Sequence, residues 1–185
     1  MDEFVIEGGH QLRGEVYPSG NKNAALPLLA ACLLTDQPIV LHNVPKIKDV
    51  QTMLRLLADV GADVQETGDH SLVVTARDVR KAELSPALCR DIRASILLAG
   101  PMLARCGQVE LPPPGGDIIG RRRLDAHFMA LQALGADLGL TPSSYLLSGP
   151  KLRGQDIFLD EASVTATENA LMAATLIPGQ TIIRN

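Results

Sequence analysis

NAALPLLAACLLTDQPIVLHN, residues 23–43, is a run of Ala and Leu followed by a turn and a β-branched segment. The same order recurs in ASILLAGPMLARCGQVEL (94–111) and in ENALMAATLIPGQTIIRN (168–185). Each copy predicts an apolar helix, a short turn containing Gly or Pro, and a strand. The equivalent strand positions are Val40, Val109 and Ile182. Because the copies are nearly evenly spaced, the sequence predicts a repeat architecture.

A second kind of helix follows the first two copies. Its apolar positions recur at helical spacing in Val50, Met53, Leu54, Leu57 and Val60, and again in Leu124, Phe128, Leu131 and Leu134. We expect Asp49 to cap the first of these helices, and Gly61 and Gly135 to close the two. A hairpin is predicted after each helix, with turns at residues 68–69 and 141–144.

The recurring unit is therefore helix, strand, helix, strand, strand. Helices of the first kind are apolar almost all round, so we expect them inside a shell of strands and amphipathic helices. This pattern predicts an α/β fold of the inside-out barrel type, with pseudo-threefold repeats at about 18–80, 81–150 and 151–185. The third repeat lacks its second helix and its hairpin, so we expect it to be truncated. An ordinary doubly wound α/β sheet is the alternative topology.

Residues 1–17 have no equivalent ahead of the second repeat. Segments 4–7 and 12–16 are strand-like, because they are short and contain β-branched or aromatic residues. We expect residues 1–17 to belong to a second domain that is missing here, while residues 18–185 form most of the first domain.

Composition argues against several classes of partner. The formal net charge is −4 and only 3% of the residues are aromatic. Nucleic-acid and membrane-surface binders usually present basic surfaces, and stacking on bases needs aromatic rings. We therefore expect neither a nucleic acid nor a membrane as a partner. Cys32, Cys89 and Cys106 are far apart in apolar stretches, which predicts buried, reduced thiols and a cytoplasmic location.

Three places in the chain are candidates for holding an anion. Lys22 precedes the first apolar helix, where free N–H groups and the helix dipole add to its charge. Arg93 begins the second apolar helix, where a charge needs a partner or a place at the rim. The loop at 112–123 is rich in Pro and Gly and ends in three arginines, which is typical of a lid over phosphate or carboxylate. A snorkelling lysine, a structural ion pair and solvated arginines are the alternatives.

The sequence contains no motif for metal binding or for ATP chemistry. His127 has no second candidate ligand nearby, so we interpret it as structural rather than metal-binding. The glycines at 115, 116 and 120 are not followed by Gly-Lys-Ser/Thr, so they do not form a phosphate-binding P-loop. We expect no metal and no cofactor.

Five motifs carry a resemblance to a known family. They are SGNKNAALP (19–27), NVPKIKD (43–49), RAS (93–95), PGGDIIG (114–120) and ASVTATEN (162–169). With these motifs the chain resembles the enolpyruvyl transferases over essentially its whole length, and most closely the branch that acts on UDP-sugars. The resemblance implies two similar inside-out α/β domains with the active site in the cleft between them.

The resemblance also implies a reaction. The enolpyruvyl group of phosphoenolpyruvate would move to the 3'-hydroxyl of UDP-N-acetylglucosamine, releasing phosphate, in peptidoglycan synthesis. Lys22 and Arg122 are implied to hold phosphoenolpyruvate, with Asn23 beside them. The implied UDP-sugar positions are Arg93, Arg122, Arg123, Leu124, Asp125, Ala126, Ser163 and Val164. A catalytic base and further arginines are implied to come from the missing domain, so we expect no turnover by this chain alone.

Two residues depart from the family pattern. Asp117 occupies the loop position where many members have cysteine; a carboxyl there can donate a proton if its pKa is raised, but it is not a thiolate nucleophile. Asp117 therefore predicts resistance to the epoxide fosfomycin. Glu161 stands where many relatives have lysine, which leaves the nucleotide affinity and the exact sugar open.

Three other functions fit parts of the pattern. An enolpyruvyl transferase could use shikimate 3-phosphate or another nucleotide as its acceptor. A binding module related in fold to RNA 3'-phosphate cyclases could recognise RNA ends, although the acidic charge and few aromatics count against it. The chain could also be a stable folding unit without catalytic activity of its own.

Overall fold

The computed structural model describes residues 3–116 and 123–185. Its α-helices are α1 (Lys22–Ala31), α2 (Lys48–Val60), α3 (Pro86–Asp91), α4 (Ala99–Cys106), α5 (Asp125–Ala133) and α6 (Val164–Ala174). Its strands are β1 (Ile39–Leu41), β2 (Asp63–Gly68), β3 (Ser71–Thr75), β4 (Gln108–Leu111), β5 (Asp137–Leu140), β6 (Tyr145–Ser148), β7 (Asp156–Phe158) and β8 (Ile182–Arg184). A 3₁₀ segment, Cys32–Leu34, continues α1, and another, Arg93–Leu98, leads into α4.

The first two units form sheets with the same strand order. In the first unit β3 lies between β1 and β2, and in the second unit β6 lies between β4 and β5, with every pairing antiparallel. Val40 lies opposite Val73, and Val109 lies opposite Leu147. Positions that were matched in the sequence are therefore equivalent in space, and the predicted order of helix, strand, helix, strand, strand is confirmed.

The third unit contains α6 and β8, together with a strand that the sequence analysis missed. β7 precedes α6 and pairs in parallel with β8, with Ile157 opposite Ile183. A shorter version occurs in the second unit, where Glu83 bridges Glu110 in parallel. A parallel pairing ahead of the inner helix therefore occurs in the second and third units, whereas the described residues ahead of α1 contain none. β7 has only three residues and its counterpart in the second unit is a single bridge, so comparison of the copies did not reveal it.

The described residues ahead of α1 form no strand in this chain, and the expectation that segments 4–7 and 12–16 are strands of a missing second domain stays a prediction. Their apolar side chains lie in solvent, with Phe4 96% and Leu12 93% exposed. A strand is held by hydrogen bonds to a neighbouring strand, and no described residue pairs with this segment in that way. The assignment of residues 1–17 to a second domain stays a prediction.

The inner helices differ in how completely they are enclosed. Residues 99–103 of α4 are all buried. Gly100 permits a close approach to α6, because a Cβ there would lie 2.3 Å from the carbonyl oxygen of Asn169. α1 and α6 expose Leu28 and Leu171 by more than half. The expectation that all inner helices lie inside is therefore right for α4 and wrong for these faces of α1 and α6, which no described residue covers.

The amphipathic helix α2 begins differently from the prediction. Its N-cap residue is Ile47, so Asp49 lies in the first turn instead of capping the helix. An acidic side chain in the first turn still interacts favourably with the helix dipole. Gly61 ends α2 with a φ of 110°, and Gly135 follows α5 with a φ of 104°, as predicted.

The cysteines are free thiols. Cys32 and Cys89 are buried, and burial raises the pKa of each to about 11. Cys106 is only partly buried, contrary to the prediction, because it is the last residue of α4.

Among the residues that the structure describes, every helix is too short or too polar to cross a membrane.

Candidate functional site

One cleft collects charged side chains from separate units. It has a volume of about 620 Å³ and lies between the first turns of α1 and α6, the start of the 3₁₀ segment at Arg93, and the residues that lead into α5. Lys22 comes from the first unit, while Arg93 and Arg123 come from the second. The structure therefore brings together the candidate cations that it describes.

Lys22 is the first residue of α1 and forms part of one wall. The Oδ1 atom of Asn21 accepts hydrogen bonds from the N–H groups of Asn23 and Ala24 at 2.7 and 3.1 Å. These two N–H groups are therefore not free for an anion, contrary to the sequence interpretation. The Nζ atom of Lys22 lies 2.6 Å from a carboxylate oxygen of Asp49. Partly exposed ion pairs contribute about 1 kcal/mol or less, so an anionic ligand can compete for this ammonium.

Arg93 and Arg123 are tied to each other. The Nη2 atom of Arg93 donates to the carbonyl oxygen of Arg123 at 2.9 Å. Arg123 in turn forms a short ion pair with Asp125 through its Nε atom. The main chain of Arg123 is thus held from one side and its guanidinium from the other, so both arginines are oriented at the cleft before any ligand binds.

The first turn of α6 forms the facing wall. Ser163 is its N-cap residue, and its Oγ atom accepts from the N–H group of Ala166 at 3.3 Å. Val164, Thr165 and Glu168 follow at the cleft surface. This wall combines an exposed apolar side chain, a hydroxyl and a carboxylate, so it can contact a ligand with polar and apolar parts.

A buried histidine lies behind the facing wall. The Nδ1 atom of His127 is 3.2 Å from Nδ2 of Asn169, and its Nε2 atom is 3.2 Å from Oγ1 of Thr165. Burial and the nearby charge of Arg93 lower the pKa of His127 to about 4, so the ring is neutral at neutral pH. Within the described residues no group of three or more His, Cys, Asp or Glu side chains could hold a metal ion.

Three carboxylates share the cleft with the three cations. They are Asp49, Glu161 and Glu168. Burial raises the pKa of Glu168. The sequence analysis missed Asp49 and Glu168 as cleft residues. Helical spacing could have found Glu168, which lies one turn after Val164, whereas the position of Asp49 depends on how α2 packs against α1.

The predicted site residues fall into three groups. Those that line the cleft are Lys22, Asn23, Arg93, Arg123, Ser163 and Val164. Leu124 and Ala126 are buried and do not line the cleft. Asp125 does not line it either, but it forms an ion pair with Arg123, which does. Asp117 and Arg122 lie outside the described residues. A substrate-binding or catalytic role for each member of the three groups stays a prediction.

The loop that was interpreted as a lid is anchored where it begins. Gly115 and Gly116 donate to the carbonyl oxygens of Cys89 and Arg90 at 2.9 and 3.0 Å. A Cβ at Gly115 would lie 1.8 Å from the carbonyl oxygen of Arg90, so a larger residue does not fit. This anchor lies directly before the segment that begins at Arg93. Residues 117–122 of this loop lie outside the described residues, and the interpretation of the loop at 112–123 as a lid stays a prediction.

Repeated α/β units around inner helices, with a charged cleft at helix starts, define an inside-out α/β repeat protein with a site suited to anionic ligands. The chain belongs to the EPSP synthase (3-phosphoshikimate 1-carboxyvinyltransferase) family, whose sequence profile matches residues 6–185. The predicted resemblance to enolpyruvyl transferases is thereby confirmed.

Curated relatives are similar over the whole chain. A UDP-N-acetylglucosamine 1-carboxyvinyltransferase from Bradyrhizobium diazoefficiens is 56% identical over 183 residues, covering 99% of this chain and 42% of that protein. The protein of the same name from Treponema denticola is 50% identical over 185 residues, covering 100% of this chain and 43% of that protein. The chain therefore spans less than half the length of these relatives.

Solved structures support the fold. The enolpyruvyl transferase NikO from Streptomyces tendae matches 90% of this chain and 39% of its own, with a TM-score of 0.74 at 24% identity. An EPSP synthase from Acinetobacter baumannii matches 92% of this chain and 40% of its own, with a TM-score of 0.72 at 15% identity. The predicted fold class is confirmed.

Proposed function

We propose that this chain supplies the first domain's part of the active site of a UDP-N-acetylglucosamine 1-carboxyvinyltransferase, namely both walls of the described cleft. The enzyme would transfer the enolpyruvyl group of phosphoenolpyruvate to the 3'-hydroxyl of UDP-N-acetylglucosamine and release phosphate. The observation that carries the proposal is the meeting of Lys22, Arg93 and Arg123 at one cleft. Relatives that bear this name are 56% and 50% identical to the chain, which favours this acceptor over shikimate 3-phosphate.

The reaction explains why the cleft needs fixed cations. The sugar hydroxyl loses its proton and attacks C2 of phosphoenolpyruvate while C3 takes a proton. The tetrahedral intermediate then expels phosphate and loses a proton from C3, which restores the carbon–carbon double bond. Both substrates are multiply anionic, so oriented positive groups stabilise them and the charge that develops between them. We assign Lys22 and Arg122 to the phosphate and carboxylate of phosphoenolpyruvate, with Asn23 beside them. Arg122 is assigned from its sequence position alone.

The UDP-sugar is assigned to the rest of the cleft and its rim. Arg93 and Arg123 supply charge there, and the hydrogen bond from the Arg93 guanidinium to the carbonyl oxygen of Arg123 supports a joint role. Ser163 and Val164 form the facing wall. The remaining assigned positions are Arg122, Leu124, Asp125 and Ala126.

Asp117 is assigned as the proton donor at the loop. A carboxyl can serve as a general acid if burial or neighbouring anions raise its pKa. Because it is not a thiolate, we expect the complete enzyme to resist fosfomycin. Mass spectrometry of the complete enzyme after exposure to fosfomycin tests this expectation, and a covalent adduct at Asp117 contradicts it.

The remaining catalytic groups are assigned to a second domain of the same protein, which would also hold residues 1–17. We place the complete enzyme in the cytoplasm, in peptidoglycan synthesis. The 185-residue chain alone is expected to show no turnover. Release of phosphate from the purified chain with both substrates would overturn this expectation.

Calorimetric titration tests the proposed ligand. The 185-residue chain should bind UDP-N-acetylglucosamine in preference to shikimate 3-phosphate and to a short RNA with a 3'-phosphate. Arg93→Ala should weaken this binding, whereas Arg55→Ala, at an exposed position on α2, should leave it unchanged. Binding of the RNA without binding of the UDP-sugar would instead support the RNA-end module.

A further inference from the structure

Behind the facing wall, a chain of hydrogen bonds has its direction set by the backbone. The Oδ1 atom of Asn169 accepts from the N–H group of Gly100 at 2.6 Å, and its Nδ2 atom donates to the carbonyl oxygen of Ile96 at 2.8 Å. A reversed amide would place donor against donor and acceptor against acceptor. The two backbone groups therefore determine which end of the Asn169 amide faces His127.

The tautomer of His127 follows from this orientation. The Nδ2 atom of Asn169 faces Nδ1 of His127 at 3.2 Å, so Nδ1 must accept a hydrogen bond and carries no proton. The ring is neutral, because burial and Arg93 hold the pKa near 4. Its single N–H is therefore at Nε2, which donates to Oγ1 of Thr165 at 3.2 Å.

The hydroxyl of Thr165 is thereby turned into a donor toward the cleft. Its oxygen already accepts from His127, so its own hydrogen is available for another acceptor. Within residues 3–116 and 123–185 this hydroxyl makes no other hydrogen bond, and Thr165 lines the cleft. Accepting one hydrogen bond also polarises a hydroxyl and strengthens it as a donor.

We propose that Thr165 donates a hydrogen bond to a phosphoryl oxygen of the bound substrate, and that His127 and Asn169 are positioning residues that set its direction. The inference rests on the proposed function, which brings phosphoryl groups into this cleft. Lys22, Arg93 and Arg123 line the same space and favour such an anion. Phosphoenolpyruvate and UDP-N-acetylglucosamine both carry the required chemistry.

Titrations of Thr165 variants separate the two substrates. Thr165→Val removes the hydroxyl with little change in shape, and should weaken binding of one of the two substrates by about fivefold. Thr165→Ser keeps the hydroxyl and should bind within about twofold of the unmodified chain. Thr167→Val is the matched control, because Thr167 lies on the same helix and its hydroxyl donates to the carbonyl oxygen of Ser163 instead of facing the cleft.

The positioning role has its own readout. Long-range ¹H–¹⁵N NMR spectra of the unmodified chain should show His127 protonated at Nε2 and unprotonated at Nδ1. His127→Phe should weaken ligand binding about as much as Thr165→Val. The double variant should bind only slightly more weakly than either single variant, because both substitutions disrupt the same hydrogen bond to the ligand.

The outcomes separate this inference from the proposed function. Equal binding of both substrates by Thr165→Val and the unmodified chain overturns the contact and leaves the proposed function standing. An Nδ1-protonated His127 overturns the positioning role, even if His127→Phe fails to fold. If the unmodified chain binds neither substrate, the proposed function fails first, and the ligand contact fails with it.

Discussion

The two walls of the cleft are built on different physical principles. On the α1 wall, Lys22 and Asp49 form a partly exposed ion pair at 2.6 Å. On the α5 and α6 wall, His127, Asn169 and Thr165 form a largely buried chain of neutral hydrogen bonds. On the first wall, Lys22 can exchange Asp49 for a ligand at little cost in free energy. The second wall is held in place by hydrogen bonds from Asn169 to buried backbone groups. The cleft thus joins an adaptable charged side to a rigid neutral one.

The largest effect is expected from the rigid wall. Asn169→Ala removes the partners of two buried backbone groups, on Gly100 and Ile96, and leaves a cavity. We expect the free energy of unfolding to fall by about 3 kcal/mol. Urea unfolding measures this change. Leu171→Ala, two residues along the same helix but more than half exposed, is the control and should lower the free energy of unfolding far less. Equal losses of unfolding free energy would show that the hydrogen bonds of Asn169 do not contribute more to stability than an exposed side chain.

The next effect is a dependence of stability on pH. His127 takes up a proton near pH 6.5 in the unfolded chain but only near pH 4 in the folded one. The unfolded state therefore binds more protons between these values, so stability present above about pH 6.5 is lost as the pH falls toward 4. The loss attributable to His127 should be at most about 3 kcal/mol.

Substitution isolates this contribution. His127→Gln does not titrate and should flatten the profile of unfolding free energy between pH 6.5 and 4. Gln132 is exposed on the same helix and carries no titratable group, so Gln132→Ala should leave the profile unchanged. A Gln132 variant that flattens the profile as much as the His127 variant would show that the change comes from packing and not from titration of His127.

The smallest free-energy effect is expected on the adaptable wall, where it appears in binding. Lys22 and Lys46 each form a 2.6 Å pair with an aspartate, Asp49 and Asp69, but only Lys22 lines the cleft. Lys22→Ala should weaken phosphoenolpyruvate binding by about tenfold, and Lys46→Ala should not change it. Isothermal titration measures both. Neither variant should move the urea midpoint measurably, and equal binding losses would mean that overall charge, not position, attracts the anion.

Much of the fold could be predicted from the sequence because its units repeat. The inner helices carry a pattern that appears three times, and the amphipathic helices and hairpins carry patterns that appear twice, so the copies support one another. β7 was not predicted, because it has only three residues and its counterpart in the second unit is a single bridge. Segments 4–7 and 12–16 have strand composition but no partner strand among the described residues, so their strands stay a prediction.

The site was predictable in part, and the division lies between charged residues at helix starts and the buried hydrogen-bonded network. Charged residues at helix starts, such as Lys22 and Arg93, are visible in a sequence because few residue types suit those places. The roles of Thr165 and Asn169 depend on which backbone groups lie beside one amide in space. Those neighbours come from segments about 70 residues away, so no local pattern indicates them.

The central claim is that positive groups from separate units form one binding site for two anionic substrates. NMR titrations of the isotopically labelled 185-residue chain with UDP-N-acetylglucosamine and then with phosphoenolpyruvate test it most directly. We expect UDP-N-acetylglucosamine to shift the signals of Arg93 and Arg123 with a single dissociation constant and phosphoenolpyruvate to shift that of Lys22, while Lys46 stays unchanged in both. Shifts of Lys46 as large as those of the cleft residues, or no shift of the cleft residues with either substrate, would contradict the account.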